Sequence, residues 1–444
     1  ALLDNPPIIR INGLKDKQKV TLWNTFTDDS GIEFSSHAHY IADAKGDVDL
    51  VKDPSYGGKY KGVFTEGLVS SLHSAPPSYA KKPQLKWARL HKKFVDSPMK
   101  YTLNVFDGHV SEEEIYSDKR PVSLGESIFL RHLMADGVRR VEVSEGNLRG
   151  VLFLPPGDGP FPVVMDLFGA ESGIKEFRSA MLASYGYASF VVPYYNYKDL
   201  PPLKDTIDLN YFLEAVDYAS SIPEGNNGKI GIIGSSKGGE IGLTLTSLSD
   251  KIKACVSINS YHKSIDIDYY LDNKLFLERK IGSPKEANVY VTKEGFLMAF
   301  GKQPFYKWDI HHILPIDKTH DDCHVLIAAG DDDGGHSHRS AITLKERARR
   351  FGKKNITTVV YPGTGHLLDP PFHSHIVAVW NSTLMVRKKD GTRYKGLPHY
   401  YGGTPYHVCQ STKDLWRRTL ALFYQRLVLD SGLPLDSAKL YPPY

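Results

Sequence analysis

The stretch Gly231–Glu240, GIIGSSKGGE, contains a Gly-x-Ser-x-Gly pattern whose middle residue is Ser236. The apolar run KIGIIG before the pattern predicts a buried strand, and GGEIGLTL after it predicts the start of a helix. A serine between a strand and a helix, flanked by glycines, is typical of a tight turn that exposes a nucleophilic hydroxyl. Ser235 occupies the position that normally points away from such a site. The pattern therefore indicates Ser236 as a candidate nucleophile.

Other chemistries for the same stretch fit less well. A phosphate-binding P-loop needs a lysine after the second glycine and a hydroxyl residue after that lysine, whereas Lys237 precedes the glycine pair. A Ser-x-x-Lys acylation pair also fails, because Lys237 follows Ser236 by one residue and Ser235 by two. A Gly-rich connection without function is the remaining alternative, and partner residues elsewhere in the chain decide against it.

Two further polar residues follow predicted strands later in the chain. HVLIAAG precedes Asp331–Gly335 (DDDGG), in which Asp333 is the candidate acid and Asp332 the alternative, and TTVVYPG precedes a loop with His366. The order serine, acid, histidine is that of the α/β-hydrolases. Because the carboxyl ends of parallel strands meet at one edge of a sheet, the sequence predicts a catalytic triad of Ser236, Asp333 and His366.

The residue types suit acyl transfer. A serine hydroxyl is a weak nucleophile, so His366 would take its proton, and Asp333 would hold the imidazole tautomer and stabilise the imidazolium. An oxyanion hole is also required. We expect its backbone N–H donors from Lys237 and from Gly169 or Ala170 in the loop LFGAES.

The chain divides into two regions by pattern. Residues 1–134 carry short runs rich in β-branched and aromatic residues broken by turn signals, which predicts a β-sandwich domain. In residues 135–444, apolar strands alternate with helices, which predicts a parallel sheet covered on both faces. The expected fold class is α/β, with a C-terminal α/β-hydrolase domain after the β-sandwich. The irregular aromatic segment 262–320 is either a pocket wall or a packing elaboration.

Composition excludes several classes of function. The 444 residues carry 55 Lys and Arg against 51 Asp and Glu, a net charge of +4 that gives no reason to expect nucleic acid binding. No apolar run approaches the roughly 18 residues of a membrane span, so no stable membrane insertion is expected. The three cysteines form no Cys-x-x-Cys pair, which favours a reducing compartment; they are Cys255, Cys323 and Cys409.

A His-rich region lacks the spacing of a metal site. It contains no helical His-Glu-x-x-His pattern, so no metal is expected there. Its members are His311, His312, His320, His324, His336 and His338.

Several longer stretches resemble one family along nearly the full length of the chain. In the first region these are HYIADAKGDVDLVKDPSYGGKYKGV and TEGLVSSL. In the second they are GPFPVVMDLFGAESG, VVPYYNYKDLP, GSSKGGEIGLTL, YPGTGHLLDPP and STKDLWRRTLALFYQRL. They resemble the type I acyl-CoA thioesterases, the family that includes bile acid-CoA:amino acid N-acyltransferase.

The resemblance implies a β-sandwich followed by an α/β-hydrolase domain, and hydrolysis of fatty acyl-CoA to a fatty acid and coenzyme A. The implied partner is that small-molecule substrate, and no separate cofactor is expected, since coenzyme A is part of the substrate. It carries the triad onto Ser236, Asp333 and His366. The acyltransferase branch has a cysteine where Ser236 stands, so serine favours water as the acceptor. An N-acyltransferase, another serine esterase or peptidase, and a non-catalytic acyl-CoA-binding protein are the alternatives.

The chain also departs from the family. GGHSHRS follows the expected acid, which keeps Asp332 beside Asp333 as a candidate, and residues 284–305 match poorly, which leaves the acyl chain-length preference undetermined. The oligomeric state is likewise undetermined. A terminal Ser-Lys-Leu is absent, since the SAKL at 437–440 is followed by four residues. We expect a cytoplasmic protein, with mitochondria or peroxisomes as the alternatives.

Overall fold

Two regions with different sheets follow one another along the chain. The computed structural model describes residues 1–74, 76–169, 173–202, 204–264, 267–279, 290–298, 312–335, 338–381, 392 and 395–431.

The first region is built on an antiparallel sheet with the strand order β5-β3-β2-β7-β8, in which β6 also pairs with β3. Strands β1 and β4 form a separate two-stranded sheet. Its strands are β1 (Arg10–Ile11), β2 (Lys19–Thr27), β3 (Glu33–Ile41), β4 (Val48–Asp49), β5 (Gly57–Gly58), β6 (His73–Ser74), β7 (Met99–Asp107) and β8 (Ser123–Arg131). Its short helices are α1 (Gly67–Ser70), α2 (Pro83–Lys86) and α3 (Glu112–Ile115).

The second region is built on an eight-stranded sheet with the order β21-β20-β15-β14-β11-β12-β10-β9. These strands are β9 (Arg139–Glu145), β10 (Leu148–Leu154), β11 (Phe161–Leu167), β12 (Ala188–Val191), β14 (Gly225–Ser235), β15 (Ile252–Ile258), β20 (His324–Gly330) and β21 (Ile356–Tyr361). The strands from β21 to β12 are mutually parallel, and β10 is antiparallel to both of its neighbours. This is the α/β-hydrolase architecture that the sequence predicts.

Two smaller sheets lie beside the main one, with the orders β13-β16-β17 and β18-β19-β23-β22. Their strands are β13 (Thr206–Asp208), β16 (Asp268–Leu271), β17 (Lys274–Leu277), β18 (Tyr290–Val291), β19 (Leu297–Met298), β22 (Ala378–Asn381) and β23 (Leu397–Tyr400). Part of the expected 262–320 segment thus forms strands, while its residues 265–266, 280–289 and 299–311 lie outside the described ranges.

Helices cover both faces of the eight-stranded sheet. They are α4 (Phe177–Ser184), α5 (Leu209–Ser220), α6 (Lys237–Leu245), α7 (Arg339–Arg350) and α8 (Pro405–Phe423). One apolar cluster joins α4 and α8 to residues of the first region, and a second joins α5, α6 and α7. Neighbouring residues of β14 divide between them, with Ile233 in the first and Ile232 in the second, because successive strand side chains point to opposite faces.

The first apolar cluster therefore runs without a break from the β-rich region into the hydrolase region. Phe34 of β3 and Phe372 of the second region both belong to it. The division between domains at residues 134 and 135 stays a prediction. Among the described helices, none is both long and apolar enough to cross a membrane.

Candidate active site

Ser236 lies at the junction of β14 and α6 with φ +54° and ψ −121°, a backbone conformation that non-glycine residues rarely adopt. Its N–H donates to the Ile258 carbonyl over 2.8 Å. The flanking glycines are required by close packing: a Cβ on Gly238 would lie 2.3 Å from the Leu167 carbonyl oxygen, and one on Gly234 2.4 Å from Gly238 O. The turn thus presents Ser236 at the positive end of α6.

Ser235 has a separate role inside the fold. Its hydroxyl accepts a 2.7 Å hydrogen bond from Nη1 of Arg178, and Nε of Arg178 donates to Asp166 over 3.0 Å. Both charged side chains are almost fully buried. The network ties the turn to α4 and to the end of β11. Sequence reasoning missed Arg178, although an arginine within the otherwise mostly apolar helix FRSAMLAS was the available signal.

The structure brings Asp333 and His366 together at the ends of β20 and β21. Nδ1 of His366 lies 2.7 Å from Oδ2 of Asp333, and the Gly335 N–H donates to Oδ1 over 2.7 Å. Both side chains are largely buried. With the carboxylate as acceptor, Nδ1 carries a proton and Nε2 is the nitrogen that can exchange one with a reacting group.

Asp332, the alternative acid, contacts a different part of the chain. Its Oδ2 accepts hydrogen bonds from the Gly403 N–H at 2.8 Å and from the Tyr400 hydroxyl at 3.3 Å. Asp332 therefore holds the segment after β23, whereas Asp333 faces His366. The catalytic roles of Asp333 and His366 stay predictions.

Asn259 links the three strand ends and was missed by the sequence reasoning. Its Nδ2 donates to the carbonyl oxygens of Gly365 (3.1 Å) and His366 (2.7 Å), and its Oδ1 accepts from the Gly330 N–H. Asn259 comes directly after Ile258, whose carbonyl accepts the hydrogen bond from the Ser236 N–H. One buried amide thus holds the end of β20 and the loop after β21 against the end of β15. The signal was an asparagine at a strand end with φ +47°.

The loop after β11 packs directly on Ser236. A Cβ added to Gly169 would lie 2.9 Å from Cβ and 3.3 Å from Oγ of Ser236, so only glycine fits this approach. The Tyr194 hydroxyl donates to the carbonyl oxygens of Phe168 (3.2 Å) and Gly169 (3.1 Å). Ala170, the other predicted oxyanion donor in this loop, lies outside the described residues. Gly169 thus lies against Ser236, and its role as an oxyanion donor stays a prediction.

Lys237 is the first residue of α6, so its N–H belongs to the unsatisfied first turn of the helix. Its side chain is buried, and Nζ lies 2.5 Å from Oε2 of Glu240. Tyr269 donates to the same carboxylate oxygen over 3.2 Å. The charge of Lys237 is therefore paired inside the fold, and the oxyanion role of its backbone N–H stays a prediction.

Two aromatic residues in and directly after β23 lie near His366. The His366 N–H donates to the Tyr401 carbonyl over 2.7 Å, and the two rings lie 5.1 Å apart. His399 packs edge-on against Tyr401. Burial, followed by the nearby His366, lowers the pKa of His399 to about 3, so His399 is neutral in the fold. Neither aromatic was predicted, since β22 and β23 meet the site only through tertiary packing.

No group of three or more His, Cys, Asp or Glu side chains is arranged to hold a metal ion among the residues that the structure describes. Of the His-rich region, His311 and His336 lie outside those residues. All three cysteines are buried thiols.

Two family models match the chain. Residues 4–145 match the acyl-CoA thioester hydrolase/BAAT N-terminal region, and residues 207–429 match the BAAT/acyl-CoA thioester hydrolase C terminal.

Curated relatives are similar over nearly the whole chain. Acyl-coenzyme A thioesterase 3 of Mus musculus is 34% identical over 432 residues, which cover 96% of this chain and 92% of the relative. The mitochondrial acyl-coenzyme A thioesterase 2 of Rattus norvegicus is 33% identical over 427 residues, covering 96% and 87%. Among solved structures, a puromycin-hydrolysing peptidase of Mycobacterium tuberculosis is 14% identical, covers 92% of this chain and 53% of its own, and has a TM-score of 0.41.

Proposed function

The chain belongs to the acyl-CoA thioester hydrolase/BAAT family, and we propose that it hydrolyses fatty acyl-CoA to a free fatty acid and coenzyme A. The family match and the acyl-CoA thioesterase relatives make it an enzyme of the hydrolase class. The observation that carries the finer proposal is the 2.7 Å contact between His366 and Asp333 at the sheet edge where Ser236 stands in its strained turn.

In the proposed mechanism the Ser236 hydroxyl attacks the thioester carbonyl carbon while Nε2 of His366 takes its proton. The oxygen of the tetrahedral intermediate is negatively charged, and the backbone N–H groups of Lys237 and of the Gly169 loop would stabilise it. The carbon–sulfur bond then breaks, and coenzyme A leaves as a thiol with the proton from His366. Ser236 is left as an acyl ester.

Water completes the cycle. His366 removes a proton from the water that attacks the ester, and returns it to the Ser236 oxygen as the fatty acid leaves. Asp333 accepts the Nδ1–H of His366 throughout and stabilises the imidazolium. The proposed reaction consumes only acyl-CoA and water, so we propose no additional cofactor.

The three buried thiols support a reducing compartment.

The test is Ser236→Ala assayed with palmitoyl-CoA and a thiol-detecting reagent. We expect kcat to fall by about 10³-fold or more, because the covalent route is lost while the fold is retained. Ser235→Ala is the matched control, since it removes a neighbouring hydroxyl that contacts Arg178, and its loss should be much smaller. A fluorophosphonate probe should label the wild-type protein and Ser235→Ala, but not Ser236→Ala.

Full activity of Ser236→Ala would contradict the proposal. Mass spectrometry of the products with added glycine or taurine tests the acyltransferase alternative, for which amide conjugates would appear. Ester and peptide substrates in the same assay test the other serine hydrolases. A series of acyl-CoA chain lengths would define the substrate preference.

A further inference from the structure

The loop that begins at His366 leaves the hydrolase region and lies on the β-rich first region. Three residues after His366, the Asp369 carboxylate accepts a 2.8 Å hydrogen bond from Nη2 of Arg89. Arg89 lies in the connection between α2 and β7. The residue that pairs with the charge of Asp369 is therefore 280 positions away in the sequence.

The loop is anchored to the same region at two further points. The guanidinium carbon of Arg131, in β8, lies 5.5 Å from the centre of the Phe372 ring. The His375 N–H donates to the Ser70 carbonyl in α1 over 2.8 Å. Both contacts join the loop to the first region, which therefore helps to set its course.

The ion pair is buried. Arg89 is 6% exposed and the Asp369 side chain 13% exposed. Burial alone would raise the pKa of Asp369, but Arg89 and His373 outweigh it and hold the pKa below its ordinary value. Removing one partner of such a pair leaves an uncompensated charge, which forces the surrounding chain to move or to admit water.

The same loop is also linked by ring contacts to the loop after β11, which carries Gly169. The ring of His373 lies 5.2 Å from Phe177 in α4, and Phe177 lies 5.3 Å from Phe168, next to Gly169. A shift of the loop would therefore displace both His366 and the loop after β11 that carries Gly169. Misplacement of reacting groups by about 1 Å can cost about 10²-fold in rate.

We propose that Arg89, contributed by the β-rich region, is a positioning residue for the reaction, and that it acts by holding the His366 loop through Asp369. The proposal rests on the proposed function. It makes the first region part of the catalytic machinery, without any contact between Arg89 and substrate.

The test compares Arg89→Gln, Arg89→Lys and Asp369→Asn in the full-length protein. Because a positioning residue acts on the chemical step, we expect Arg89→Gln to lower kcat about 10- to 100-fold with KM changed less than about 3-fold. Arg89→Lys keeps a cation beside Asp369 and should recover kcat to within about 5-fold of wild type. The labelling rate of Ser236 by a fluorophosphonate should fall in parallel with kcat.

Trp416→Phe is the matched control. It removes the 2.9 Å hydrogen bond from Nε1 of Trp416 to Asp4, another buried contact between the two regions, at a position outside the Arg89–Asp369 pair. Thermal unfolding is measured for every variant, and kinetics are compared at the same interval below each Tm. We expect Trp416→Phe to lower Tm and leave kcat within about 2-fold of wild type.

The double variant Arg89→Gln/Asp369→Asn tests whether Arg89 acts through Asp369. Its kcat should match that of Asp369→Asn within about 3-fold, because Arg89 has no carboxylate left to hold once Asp369 is replaced, so its loss removes no further positioning. A further loss of 10-fold or more would overturn the proposal. If Arg89→Gln does not fold, Asp369→Asn decides, and wild-type kcat in that variant would likewise overturn it.

Two other outcomes are equally decisive. Wild-type kcat in Arg89→Gln, or an equal loss of kcat in Trp416→Phe, would show that Arg89 contributes only to stability. Failure of the proposed function is distinguishable, since wild-type protein would then release no thiol from acyl-CoA. In that case the fluorophosphonate labelling rate still reports the effect of Arg89 on Ser236.

Discussion

At the scale of single residues, adjacent residues of the chain make different contacts. Asp333 and Asp332 are neighbours, yet the first contacts the imidazole of His366 and the second holds the Gly403 N–H. Ser236 and Ser235 differ in the same way, since the hydroxyl of Ser235 accepts a hydrogen bond from Arg178. Which member of each pair faces the site depends on backbone geometry, because successive side chains leave the chain in different directions.

Asp333→Asn should lower kcat by about 10³- to 10⁴-fold, because an amide does not stabilise the imidazolium and favours the wrong tautomer of His366. Steady-state thioesterase kinetics measure the loss, and circular dichroism confirms the fold. Asp332→Asn is the control. It weakens a structural contact, so we expect a loss of about 1 kcal/mol in the free energy of unfolding and less than about 5-fold in kcat. The reverse ranking of the two variants would make Asp332 the acid.

At the scale of elements, the site is assembled by loops that follow parallel strands. The loop after β11 contributes Gly169, and the hydroxyl of Tyr194, which comes after β12, holds two of its carbonyl groups. Burial, with Tyr195 and Glu240, raises the pKa of Tyr194 well above its ordinary value, so its hydroxyl stays a neutral donor. A hydrogen bond that fixes a backbone carbonyl group also fixes the direction of the N–H group in the same peptide unit.

Tyr194→Phe should therefore lower kcat about 5- to 30-fold, while the ring keeps its packing and the free energy of unfolding falls by only about 1 kcal/mol. Tyr211→Phe is the matched control, because its hydroxyl donates to the carbonyl groups of Pro193 (2.6 Å) and Arg149 (3.4 Å) rather than to those of the Gly169 loop. Equal effects on kcat from the two variants would argue against a role for Tyr194 in positioning that loop.

At the scale of the whole molecule, burial holds several histidines neutral. Burial is the largest cause that lowers the pKa of His37 to about 4 and the pKa values of His262 and His399 to about 3. An unfolded histidine has a pKa of about 6.5. Between these values the unfolded chain binds more protons than the folded one, so stability falls as pH falls below about 6.5.

His262→Asn isolates one of these groups, since His262 is 5% exposed and its Nδ1 contacts the Ser340 hydroxyl. We expect the wild-type free energy of unfolding to fall more steeply between pH 6.5 and 4 than that of the variant, by up to about 1.4 kcal/mol per pH unit. Urea unfolding at several pH values measures both slopes. Parallel slopes would mean that folding does not lower the pKa of His262.

The sequence was sufficient for the fold class and for the three candidate triad residues. Each of Ser236, Asp333 and His366 follows an apolar strand within a few residues, and the glycines around Ser236 mark a tight turn. These signals are local, because strand periodicity, turn chemistry and the order of the residues are written in short stretches of chain. The fold class was confirmed, whereas the catalytic roles stay predictions.

What holds those residues in place was decided only by the tertiary structure. Arg89 pairs with Asp369 across 280 positions, and Asn259 reaches His366 across 107. No local pattern encodes such contacts, because a buried arginine and a surface arginine look alike until the chain has folded around one of them. Burial then makes each pairing obligatory, since a charge or an amide removed from water must find its partner inside the protein.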